Sequence, residues 1–156
     1  MALQLIAEPA PDHVLSTASL TEIIQSAWVI DQPDDFSVSL IWANEHLSAE
    51  LNQQYRQKNK PTNVLSFPMF EQADLSAGVL MPGMSAMPLG DIVVCLPVLQ
   101  HEASTQGKTL DHHLTHLLIH AMLHLQGYDH VDDAEAEIME ALEVQLLAKH
   151  GICNPY

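Results

Sequence analysis

The chain of 156 residues predicts an α+β fold, one domain with helices packed on a small mixed β-sheet. Three observations carry that prediction. The periodic segments follow the order βαβαββααα, in which strands and helices first alternate and the helices then gather at the end. Apolar residues make up 47% and charged residues 16%, a globular composition rather than a disordered one. The length suits a single core that needs no covalent staples.

The elements follow in order. "LQLIA" (3–7) reads as a first strand. Ser19 or Thr21 is placed to cap a helix running through Trp28, with Glu22 as the capping-box partner if Ser19 is the cap. "SVSLIW" (37–42) alternates and is rich in β-formers, so it predicts a strand. Asn44 then caps a helix to about Arg56, with Leu47, Leu51 and Tyr55 on one face. Pro61 helps close that segment, and "NVLSF" gives a strand ending at Pro68. Residues 71–88 hold two Gly, two Pro and no clean period, which predicts a long loop whose methionines pack over the core. "GDIVVC" (90–95) resumes as a buried strand. A helix follows from about Pro97 to Gln106, ended by Gly107, and Thr109 or Asp111 opens the next. The last helix has Asp132 and Asp133 at its start, Lys149 and His150 at its end and Gly151 just beyond. Ile138, Leu142 and Leu146 share one of its faces. There is no internal repeat and no low-complexity tract.

Composition narrows the function. "MALQLIAEP" lacks the basic region and long apolar run of a signal peptide, and prolines interrupt the most apolar region, so we expect no membrane span. Two cysteines, Cys95 and Cys153, suggest no disulfide framework. A cytoplasmic protein with free thiols is the expectation. The formal charge of −15 argues against broad nucleic-acid binding, which runs on Lys and Arg. Three of the five basic residues, however, fall together as Arg56, Lys58 and Lys60 in "YRQKNKPTN". One basic spot can hold an anion within about a Debye length. Cations near a helix C-terminus are also favoured whatever the function, so this spot alone does not separate the two readings.

The sharper signal is "HLLIHAMLHLQGYDH" (116–130), four histidines in an apolar stretch. Burying imidazoles gains nothing unless their nitrogens find partners. On a helix His112, His116, His120 and His124 stack along one side with about 6 Å of rise between neighbours. One adjacent pair can chelate a metal; three in a row cannot, because the outer two stand about 12 Å apart. Gly127 is a natural helix stop, after which "YDH" can fold back and bring His130 to the His120/His124 pair. The spacing H-x3-H-x5-H, with Gly at the eighth position, coincides with that of H-E-x-x-H-x-x-G-x-x-H metalloproteases. Three protein ligands leave a fourth position for water, the mark of a catalytic zinc site. The departure is Ala121, which stands where the proteases have their general-base Glu. His116 reads as a neighbour of the site or a surface residue rather than a ligand. Asp129 is placed either to orient an imidazole or to cap the turn.

With these segments assembled, the sequence resembles the YbeY family of metal-dependent endoribonucleases of ribosomal RNA maturation. "YRQKNKPTNVLSFP", "LGDIVVC" and "HLLIHAMLHLQGYDH" carry the resemblance, which spans most of the chain from about Ser37 to Lys149. The resemblance implies that His120, His124 and His130 bind one metal ion per chain, zinc or another divalent transition metal. It also implies that Arg56 is the basic residue near the site. The family more often has Gly where Ala121 stands and often Asp where Asn63 stands; both replacements keep a small residue or a turn former. The implied activity is cleavage of single-stranded RNA at the 3′ end of 16S rRNA and in ribosome quality control. Metal-activated water or the ribose 2′-hydroxyl attacks, and the planar guanidinium of Arg56 clamps phosphate. Implied partners are rRNA and the ribosomal subunit or its assembly proteins, with no DNA and no membrane. Two rivals stand beside this reading: a non-catalytic ribosome-assembly factor with a structural metal, and a metallopeptidase, which Ala121 disfavours.

Overall fold

The computed structural model describes residues 3–7, 14–29, 35–69, 87–129 and 131–156. Among these, four strands and five helices follow the predicted order. They are β1 (Leu3–Ala7), α1 (Thr17–Ser26), β2 (Phe36–Ala43), α2 (Glu45–Arg56), β3 (Val64–Pro68), β4 (Met87–Cys95), α3 (Leu96–Gln106), α4 (Leu110–Leu125) and α5 (Asp133–Ala148). The sheet order is β1-β2-β4-β3. β1 runs parallel to β2, β2 parallel to β4, and β3 antiparallel to β4, so the sheet is mixed. β3 therefore forms one edge.

Several boundaries differ from the sequence reading, each for a local reason. Ser16 caps α1, accepting from the Ser19 backbone N–H at 3.2 Å, so the helix starts before Ser19 and Thr21 and ends at Ser26 rather than Trp28. Asn44 caps α2 as expected, accepting from Leu47 N–H at 2.8 Å. Thr109 rather than Asp111 caps α4, and Asp132 caps α5. β4 begins at Met87, inside the segment expected to be loop, because Met87 and Pro88 pair with Phe36 and Ser37 of β2 before a register shift. The rest of that segment, 71–86, lies outside the described residues. In α5 the buried face is Met139, Glu143, Leu146 and Leu147, while Ile138 is 57% exposed and Leu142 only partly covered. The predicted Ile138–Leu142–Leu146 face is thus rotated by about one residue.

The core lies between one face of the sheet and α1, α4 and α5, where Phe36, Val38, Leu40, Leu89, Ile92 and Val94 meet Leu20, Ile24, Leu118, Met122 and Leu147. α4 is its centre: Leu114, Leu118, Ile119, Met122, Leu123 and Leu125 are all fully buried. On the other face, Ala43, Leu65 and Val93 pack with Leu47 and Leu51 of α2. The buried amide of Gln126 ties the end of α4 to the end of α1. Its Nε2 donates to Ala27 O at 2.8 Å, and its Oε1 accepts from Val29 N–H at 2.8 Å. None of the described helices is long and apolar enough to cross a membrane. Among the described residues both cysteines are free thiols.

Candidate functional site

Four parts of the fold wall one cavity of about 1060 Å³: the last turn of α2, strand β3, the histidine face of α4 with the turn after it, and Tyr156. Each is held in place by ordinary local chemistry. The segment between α2 and β3 is clamped onto the helix by two buried polar residues. Ser48 Oγ donates to Thr62 O at 2.8 Å and accepts from Thr62 N–H at 2.9 Å, and Asn52 Nδ2 donates to Lys60 O at 2.8 Å. This fixes where α2 ends, in a left-handed Gln57 (φ 55°), and hence where Arg56 stands. Arg56 is exposed and lines the cavity; Lys58 and Lys60 are exposed on the clamped segment.

The end of α4 is equally well defined. Gly127 has φ +94°, its N–H donates to His124 O at 3.0 Å, and Tyr128 N–H reaches back to Leu123 O at 3.0 Å. That pair of bonds is the Schellman stop, and its positive φ favours glycine at position 127. The turn then carries Tyr128 and Asp129 along the cavity wall. His130, the next residue, lies outside the described residues.

The histidine ladder divides as its environment dictates. His112 is exposed, whereas His113 is buried beside Glu102 of α3, 3.7 Å away. Burial draws the His113 pKa down, against the pull of Glu102. His116, His120 and His124 line the cavity. Nε2 of His120 and Nε2 of His124 stand 3.0 Å apart, with the rings nearly perpendicular at 80°. On its other side His120 Nδ1 donates to Glu143 Oε1, and His116 Nε2 donates to Glu143 Oε2 at 3.1 Å. The Tyr156 hydroxyl donates to the same Oε2. Burial alone would push the Glu143 carboxyl up, but the bonds from His116, His120 and Tyr156 outweigh it and hold the pKa at about 2. Burial at its hydroxyl end and the carboxylate beside it push the Tyr156 phenol well above the ordinary value.

This donor set suits a metal. With Nδ1 of His120 turned to Glu143, its Nε2 is the nitrogen placed to coordinate. Two imidazole nitrogens bound tetrahedrally to one zinc at about 2.0–2.1 Å each would stand about 3.3 Å apart, close to the observed 3.0 Å. His116 instead spends its Nε2 on Glu143, as befits a neighbour of the site. Among the described residues no group of three or more His, Cys, Asp or Glu stands ready to hold a metal ion.

The sequence reading placed Arg56, His120 and His124, and the structure brings these three to one cavity. It missed Glu143 and Tyr156, and it put Tyr55 on a helix face without bringing it to the cavity that it lines. Glu143 did leave a signal: one acid at the i+4 position of an otherwise apolar 139/143/146/147 face. Reading the face one residue off hid it among the surface acids of α5.

The family model described as Endoribonuclease YbeY matches residues 11–151. A curated protein of Acinetobacter baumannii named Endoribonuclease YbeY is 45% identical over 149 residues, covering 94% of this chain and 91% of that protein. One of the same name from Cellvibrio japonicus is 45% identical over 147 residues, covering 94% of this chain and 78% of its own length. The solution structure of TM1509 from Thermotoga maritima is similar with a TM-score of 0.54 and 25% identity, over 96% of this chain and 91% of that one.

Proposed function

Because this chain belongs to the YbeY family of endoribonucleases and sets two converging imidazoles and a guanidinium around one cavity, we propose that it is a metal-dependent endoribonuclease acting on single-stranded RNA. One observation carries the reading: Nε2 of His120 and Nε2 of His124 meet at 3.0 Å, with His120 braced from behind by Glu143. His120 and His124, with His130 as the third ligand, would hold one divalent ion. Imidazole donors favour zinc and admit other divalent transition metals. When bound, such an ion supplies Lewis acidity to a reaction at phosphorus.

The protein's own groups then do the following. Glu143 keeps the proton on His120 Nδ1 and fixes the ring, so that Nε2 stays a lone-pair donor aimed into the cavity. Arg56 presents a planar fork to two phosphate oxygens, which positions the phosphodiester and stabilises negative charge growing on it. Ala121 lines the cavity with a methyl group that accepts no proton, in line with phosphodiester rather than peptide cleavage. The attacking oxygen comes from water or from the ribose 2′-hydroxyl. The proposed substrate is ribosomal RNA near the 3′ end of the 16S species. The ribosomal subunit and its assembly proteins are the partners, the cytoplasm is the compartment, and the 2′-hydroxyl sets RNA apart from DNA.

The experiment is cleavage of a defined single-stranded RNA by purified protein, with a His124→Ala preparation made in parallel as the control for contaminating nuclease. Cleavage should stop with a chelator, return with zinc and be absent from the variant. A 2′,3′-cyclic phosphate at the new end would assign the attack to the 2′-hydroxyl, and a 3′-hydroxyl would assign it to water. Equal activity in both preparations, or none with any divalent metal, would overturn the reading and leave the assembly-factor alternative.

A further inference from the structure

Two large aromatic side chains stand out at the cavity. Tyr55 and Tyr156 are 56% and 59% exposed, and both line it. An aromatic ring normally buries most of its area, since that is where its stabilisation comes from. These two rings are held in place without being covered. Phe67 meets Tyr55 edge-on, with centroids 4.9 Å apart at 64°. Tyr156 is anchored through its hydroxyl on Glu143 and meets His116 edge-on at 5.8 Å and 87°. Edge contacts and an end-on hydrogen bond fix a ring and leave π-surface to a ligand. Arg56 lines the same cavity, where it would hold a phosphate of the strand whose bases reach these rings.

We propose that Tyr55 and Tyr156 are stacking platforms for the nucleobases flanking the scissile phosphodiester, a reading that rests on the endoribonuclease assignment above. A base can lie on either ring only if it has left its neighbours in the strand. The pair therefore selects single strands, loops and ends over duplex, and does so with little regard to sequence, because every base has a π-face.

The test is a cycle between protein and RNA. Wild type, Tyr55→Leu, Tyr55→Phe, Tyr156→Leu and Tyr156→Phe are each given a short single-stranded RNA with a mapped cleavage site. Parallel substrates carry an abasic ribose on the 5′ or the 3′ side of that site. Each Leu variant should raise KM on the order of tenfold on the intact RNA, with kcat changed far less. Tyr55→Phe should restore KM, since the ring and not the hydroxyl stacks, and Tyr156→Phe, which keeps the ring but loses its anchor on Glu143, should restore it in part. An abasic ribose on the matching side should raise KM for wild type similarly and add almost nothing for the Leu variant. Wild-type KM in the Leu variants, a KM loss in Phe equal to that in Leu, or losses that add independently of the abasic position would overturn the proposal. Should a Leu variant fail to fold, wild type alone decides, because an unchanged KM on both abasic RNAs also overturns it. Absence of metal-dependent cleavage by wild type would instead remove the endoribonuclease assignment itself.

Discussion

Arg56 is the residue where a binding role and a structural role diverge most clearly in their consequences. It occupies the last turn of α2, where any cation is favoured, and it also faces the histidine cavity. If it clamps phosphate, Arg56→Ala should leave metal content and the melting curve nearly unchanged while RNA cleavage drops sharply. Arg56→Lys should recover only part, because an ammonium keeps the charge and loses the fork. A mere helix-end cation would instead give a stability loss of about 0.3–1 kcal/mol and normal turnover. Glu143 offers a second contrast. It is fully buried and bonds His120, whereas His116 bonds only Glu143 within this network. Glu143→Gln should weaken metal binding by about 10–100-fold, the usual cost of losing a partner behind a histidine ligand. His116→Ala should lower it much less. Competition titration with a chromophoric chelator measures both, and the reverse order would shift the site one turn up the ladder.

At the scale of elements, the site depends on how closely β4, β3 and α4 approach one another. Gly90 of β4 is the point of contact, with φ +153°, and a Cβ there would lie 2.3 Å from Phe67 O and 2.8 Å from Leu125 Cδ2. Phe67 braces Tyr55, and Leu125 follows His124, so this glycine lets the sheet sit directly under the site. Gly90→Ala should cost about 1–3 kcal/mol through overpacking, a drop in Tm of roughly 3–12 °C. A thermal melt checks it; an unchanged Tm would mean that β3 or α4 yields at no cost. α5 works at the same scale: its inward face consists of three apolar residues and the one carboxylate that organises His116, His120 and Tyr156.

For the molecule as a whole, a net charge of −15 opposes RNA binding, and the short basic segment is where its positive charge is concentrated. Arg56, Lys58 and Lys60 are three of its five basic residues, so few counterions can be released on binding. Log affinity for single-stranded RNA should fall with log salt concentration at a slope of about −2, close to 0.7 for each of three contacts. Fluorescence anisotropy on an uncleaved RNA in metal-free buffer measures it. A slope of about −5 or steeper would require a larger basic surface than the chain possesses.

The sequence by itself determined the order of the elements, the helix stop at Gly127 and the pairing of His120 with His124. These are local properties: cap residues, a residue tolerant of positive φ, and the 3.6-residue period that puts i and i+4 on one face. It also brought Arg56 forward, as part of a rare basic cluster in an acidic chain. Only the tertiary structure decided which face of α5 turns inward, because Leu142 and Met139 are both apolar and the choice depends on what α4 presents. The inward face carries Glu143, which has partners there in His116, His120 and Tyr156. Neither Tyr156 nor Tyr55 could be read as part of the site from the chain, since they lie about a hundred residues apart and come to one cavity only through the packing of α2 and Tyr156 around the histidines of α4. Local sequence sets the secondary structure and the ligand pair; long-range packing sets which distant side chains a buried carboxylate can satisfy.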